Sequence, residues 1–320
     1  MSDFDDVSDL TTFIQDERGA DTVKLSSVDD ALAVIDTFRH KQLTSRSFRV
    51  AAGATVAVSA GLSPWITLDR ATVADGLDAI VRDPRSINQS VLNLCGPAAF
   101  FNIVTGRHPV AVARAATRLF DTGACDLGAL HIQPRADLMT ASYPDMAAKM
   151  SQRARPSSQA EWMLLGALRN TTNVWWQPSW RGNPDQELAG MSRPEEIASW
   201  FRRTGFFASV ADGGRWATNP GIPNAENLNL FPGTDNALLI NANLLASIGQ
   251  TRFDNTFILS SFPNHWITLL SEVVVDVTQS VVQISLWTWG QSLLAQSVPL
   301  QAFLDNYYGA VTTKLRSGGG

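Results

Sequence analysis

Residues 89–101 read QSVLNLCGPAAFF. Cys95, one of two cysteines in the chain, stands where an apolar, helix-like run begins. Gly96 and Pro97 follow it, and Gln89 precedes it by six residues. A cysteine in the first turn of a helix lies among backbone N–H groups that have no intrahelical partner, and the helix dipole adds partial positive charge there. Both favour thiolate over thiol. Pro97 suits a first turn because its missing N–H would have been unpaired anyway. Gly96 lets a substrate carbonyl come close to the backbone, and the Cys95 amide is a donor for a developing oxyanion. These are the parts needed for attack on a carbonyl carbon.

A nucleophilic thiol also needs a base. The chain has four histidines, at 40, 108, 131 and 265. His40 sits among charges in FRHKQ and reads as part of a solvated helix face. His108 lies in a GRHP turn, where it caps or points to water. His131, in LHIQP, reads either way. His265 opens a predicted strand in SSFPNHWITLLS, and a histidine at a strand start can face a helix N-terminus without being near it in sequence.

Gln89, the run Cys95-Gly96-Pro97-Ala98-Ala99-Phe100 and the distant His265 together resemble the papain-like cysteine peptidase superfamily. The CGPAAF string is most similar to its C39-type bacterial branch. The stretch Trp287-Thr288-Trp289-Gly290 resembles the Asn-Ser-Trp-Gly that follows the histidine strand in papain. The resemblance covers two short motifs and the order of elements. It implies that Cys95 is the nucleophile, His265 the base held as an ion pair with it, and Gln89 a side-chain donor to the oxyanion. It implies a protease or other amide hydrolase, needing no cofactor, acting on a protein or peptide substrate. A glutamine deamidase uses the same Cys-His chemistry with ammonia as leaving group. A catalytically silent papain-like module that binds a partner through a Trp-rich surface is the reading from a different class.

The family's Asn or Asp is replaced by Trp287, whose indole N–H only donates and cannot accept from an imidazole. A hairpin turning between Val277 and Ser280 would set His265 opposite residues near Gln291. Gln291 is therefore the first candidate to accept the imidazole N–H. Thr288 is the next, on the other strand face unless a bulge intervenes.

The elements that must position these residues read as α+β: helices first, then an antiparallel sheet. Helices are expected in SSVDDALAVIDTFRHKQL, 68–83, 95–105, 108–123, 157–172 and SRPEEIASWFRRTGF, the last with Ser192 as N-cap and Gly205 as stop. Residues 1–80 read as mostly helical, and the apolar run 50–62 as a buried segment too short to span a bilayer. NALLINANLL, NTFILSSF, HWITLLSEVVVDV and SVVQISLWTWGQ read as strands. The breaker DPRS suggests a boundary between an N-terminal helical extension, 1–83, and a hydrolase domain, 84–316. The final SGGG resembles an added linker, 317–320.

Composition narrows the partners. Apolar residues are 45% and charged residues 17% of 320, enough for a packed core. The formal charge of -5 argues against nucleic acid. Two cysteines do not make a disulfide framework, and Cys125 reads as structural. Scattered histidines do not give metal-ligand spacing, and no phosphate loop occurs. The acidic MSDFDDVSDL is not a secretory signal, so the expectation is a cytoplasmic protein or one exported without a cleaved signal. An injected bacterial effector toxin, met by an inhibitor or immunity protein, would suit that description. The tryptophans of NVWWQPSW read as core or as a cleft wall.

Overall fold

A computed structural model describes residues 28–41, 45–49, 55–59, 63–173, 180–216, 233–250 and 262–316. Helix α1 covers 28–39. Strands β1 (Ser45–Arg49) and β2 (Thr55–Ser59) then pair as an antiparallel hairpin. This hairpin was not expected in an N-terminal part read as mostly helical: VAVS alternates a β-branched with a small residue at the strand period of two. The burial expected of 50–62 lies outside the described residues.

Helix α2 (Arg70–Arg82) is capped by the Asp69 carboxylate, which accepts from the Thr72 N–H, and is followed by a 3₁₀ turn at Pro84–Ser86. Then come α3 (Cys95–Arg107), α4 (Pro109–Thr122), a small hairpin of β3 (Cys125–Leu127) and β4 (Leu130–Ile132), and helices α5 (Ala136–Met139) and α6 (Tyr143–Ser151). Helix α7 (Gln159–Thr171) opens on a capping box in which Ser158 and Glu161 satisfy each other's backbone N–H. Helix α8 (Glu187–Gly190) leads to α9 (Pro194–Thr204). Arg193, not Ser192, is the N-cap of α9, its N–H donating to Glu196.

The remaining strands are β5 (Phe207–Asp212), β6 (Thr234–Ile240), β7 (His265–Leu269), β8 (Val274–Asp276), β9 (Val281–Thr288), β10 (Gln291–Pro299) and β11 (Tyr307–Leu315). They form one antiparallel sheet in the order β10-β9-β7-β6-β11-β5, with β8 paired to β9. The fold is α+β. Of the expected strands, NTFILSSF falls outside the described residues except for its last residue, and the second half of NALLINANLL is a short helix, Asn243–Ala246.

The central strands β6 and β7 are buried on both faces. Ala237, Leu239, Trp266, Trp287 and Val311 join the core of helices α1–α4, α7 and α9. Leu238, Ile240, Ile267, Leu269 and Leu286 form a second core with Leu244, Leu245 and Phe303. Helix α3 is buried along Cys95–Thr105 and so is apolar nearly all round, as a central helix must be. The boundary expected at residue 84 is not a break in the core. Ala31, Ile35, Phe38, Val73, Leu77 and Ile80 lie in one cluster with Phe100, Phe101 and Leu164. Trp180 packs in that core against Gly166, while Trp175 and Trp176 lie outside the described residues. Among the described residues no helix is long and apolar enough to cross a membrane.

Candidate active site

Cys95 is the first residue of α3. Its first helical hydrogen bond runs from Ala98 N–H to Leu94 O, which leaves the amides of Cys95 and Gly96 to other partners. Those two N–H groups and that of Trp266 favour the thiolate form of Cys95. The Asn264 carbonyl oxygen lies 4.0 Å from the Cys95 sulfur. The sulfur therefore rests on the backbone either side of His265. Helix α3 is held to this strand deeper in the core by Thr268, whose hydroxyl donates to Asn102 Oδ1 at 3.0 Å.

Burial pushes the Cys95 thiol up to about 11, and the three amides that favour the thiolate do not outweigh it. Burial likewise pushes His265 down to about 3. Both groups are therefore neutral at pH 7 in this form, whereas the expected ion pair would need both charged. Among the described residues the hydrogen-bond partners of the thiol are backbone groups and not the imidazole.

The imidazole has a clear orientation. Its Nε2 is 2.8 Å from Thr288 Oγ1, and its ring stacks on Trp289 at 4.5 Å and 23°. The order of preference between Gln291 and Thr288 is thus reversed. Thr268 pairs with Trp287, and cross-strand partners share a face, so His265, three residues back, shares the face of Thr288. Gln291 instead donates to Gln250 Oε1 at 3.2 Å. Trp287 is structural: its indole donates to Arg85 O at 2.6 Å and ties β9 to the 3₁₀ turn.

Trp289 and Gly290 form the two-residue turn between β9 and β10, with φ of 48° and 73°. Both lie in the left-handed region, as a type I′ hairpin requires. Gly290 also permits close packing: a Cβ there would sit 3.1 Å from Ser86 O and 3.2 Å from Ile87 O. A Trp at positive φ is strained, and from this turn its ring stacks on His265. The sequence signal was the Trp-Gly pair just before a strand.

The hairpin turn packs on the loop that carries Gln89. That loop is anchored to the start of α7: Asn88 N–H donates to Glu161 at 2.7 Å, and the Ser157 hydroxyl donates to Asn88 O at 2.7 Å. Burial pushes the Glu161 carboxyl up, opposed by the backbone N–H groups of Ser158 and Asn88. Gln89 is buried, and its Oε1 has no hydrogen-bond partner among the described residues.

The other histidines and the second cysteine are placed elsewhere. His40 and His131 are exposed, each beside a carboxylate, Asp36 and Asp126. His108, between α3 and α4, packs against Phe206 with ring centroids 4.3 Å apart and tilted by 33°. Cys125 starts β3, buried, its thiol pushed up to about 12 by burial and by Asp126. Among the described residues no three His, Cys, Asp or Glu side chains gather as a metal site would need. Comparison of the chain with protein-family models, with curated proteins and with solved structures returned no match.

Proposed function

We propose that this protein is a cysteine-dependent amide hydrolase of papain-like type, acting on a protein substrate. One observation carries the reading. Cys95 begins a buried helix with its sulfur against the strand start that bears His265, and His265 is itself held by Thr288 and Trp289. In the proposed reaction His265 Nδ1 takes the thiol proton as Cys95 sulfur bonds to the carbonyl carbon. Because both groups rest neutral, the proton moves when substrate arrives, as in general-base catalysis. The Cys95 amide and the Gln89 side-chain amide stabilise the oxyanion, a single such donor being worth about 3 kcal/mol. The C–N bond then breaks, the imidazolium protonates the leaving amine, and water cleaves the thioester with His265 again as base. Thr288 Oγ1 keeps Nε2 engaged, so that Nδ1 is the nitrogen that works.

The leaving group decides between a protease and a glutamine deamidase. Incubating the protein with a proteome digest and an intact protein mixture, and measuring new N-termini and released ammonia, separates them. Either product is expected from the wild type and absent from Cys95→Ala. Equal product from both overturns the reading.

A silent, partner-binding module is the second reading. The observation that favours it is the burial of Cys95, 4% exposed. It predicts neither product under any condition in which the thiol is reached by small electrophiles.

A further inference from the structure

The chain that covers the start of α3 is the segment 189–193, the last two residues of α8 and the link to α9. Its contacts straddle Cys95 in sequence. A Cβ on Gly190 would lie 2.7 Å from Leu92 O and 2.9 Å from Asn93 O, so the two backbones touch just before the cysteine. A Cβ on Gly96 would lie 2.5 Å from Ser192 Cβ, so Ser192 presses on the residue just after it. The segment is fastened at two points. The Trp266 indole donates to Ser192 O at 2.9 Å, and the Arg169 Nε donates to Ala189 O at 2.8 Å. Trp266 thus holds the segment with its ring, while its backbone N–H favours the Cys95 thiolate. The closure leaves a polar atom unsatisfied: Ser192 Oγ is buried with no hydrogen-bond partner among the described residues. Such an atom costs free energy while closed and regains water on opening.

We propose that residues 189–193 are a strap that shuts the Cys95 site, and that its release, with the rest of the fold intact, is what admits a substrate. The same burial that closes the site raises the thiol pKa, so opening would both expose and activate Cys95. The purpose of the strap rests on the hydrolase reading, but its opening is measurable without any activity.

The test is thiol labelling by iodoacetamide of the whole protein, read by peptide mass at Cys95 and Cys125 separately, across low denaturant concentrations. Strap opening predicts that Cys95 labels faster than Cys125 and with little denaturant dependence, because little surface is exposed. Trp266→Phe, which removes the indole donor to Ser192 O, should raise the Cys95 rate about five- to tenfold with Cys125 unchanged. Equal rates and equal denaturant slopes at the two cysteines in wild type would mean that only global unfolding exposes Cys95. That overturns the strap even if Trp266→Phe folds poorly. Local labelling of Cys95 in a protein whose hydrolysis survives Cys95→Ala would keep the strap and discard the hydrolase.

Discussion

Cys95 and Cys125 are both buried thiols at the ends of regular elements, and burial pushes both pKa values up, to about 11 and about 12. Their surroundings differ. Around Cys125 the larger charge effect is that of Asp126, which adds to the cost of a thiolate, against a smaller opposing one from Arg118. Around Cys95 three backbone amides favour the thiolate, and the adjacent strand starts with an oriented imidazole. Burial alone therefore does not separate a structural cysteine from a nucleophile. What separates them is the cost that remains once water enters: at Cys95 the fixed amides stay and favour the anion, and at Cys125 the carboxylate stays and opposes it.

The comparison breaks most sharply on activity. Cys95→Ala should lower hydrolysis by about 10³-fold or more, while Cys125→Ala should leave it within a few-fold, both measured as product released per minute. Thr288→Val comes next. It removes the oxygen that engages His265 Nε2 and should lower kcat about 10- to 100-fold with KM little changed. Thr288→Ser should restore most of the loss, which a merely structural role for the methyl would not allow.

A pH titration of stability sharpens the same picture. His265 has a folded pKa near 3 against about 6.5 unfolded, so below pH 6.5 the unfolded chain binds a proton that the folded one does not. Stability is then full above about pH 6.5 and falls towards pH 3, by about 1.4 kcal/mol per pH unit at most. Cys95 acts at the other end: its raised pKa means that stability falls as pH rises from about 9 towards 11. Urea midpoints of wild type and His265→Ala across pH 4–7 check the first arm, and the acid slope should flatten in the variant. The smallest effect expected is that of Trp287→Phe. It loses the bond to Arg85 O and should cost about 1 kcal/mol of stability, read as a shift in urea midpoint.

Helix starts were legible because their signals are local. Asp69, the Ser158/Glu161 box and Pro194 each act within one turn. So was the Cys95 helix, whose Gly-Pro start can be read from three residues. The sheet was harder. Strands β5, β10 and β11 were not foreseen, since β11 is sandwiched between β6 and β5, pairings about 75 and 100 residues apart in sequence that leave no local mark. In β10 the register shifts between Leu293 and Gln296, with Ala295 at a φ of 49°, and the alternation is lost there. The third site residue failed for a related reason. Preferring Gln291 over Thr288 took the β9 strand to run on through Trp289-Gly290, whereas the chain turns there and Gln291 begins β10 as the partner of Thr288. The strap was invisible because Ser192 looks like an ordinary N-cap until Gly96 is seen against it.

The central claim is that His265 activates Cys95, and the rate of iodoacetamide labelling at Cys95 against pH tests it most directly, in wild type and His265→Ala, with Cys125 as internal reference. Labelling reads only molecules whose site has opened, so although the closed form holds the thiol at about 11, a wild-type midpoint below the free-thiol value of about 8.5 is predicted, lost in His265→Ala, with Cys125 slow in both. A midpoint at or above about 8.5 that His265→Ala does not move would contradict it.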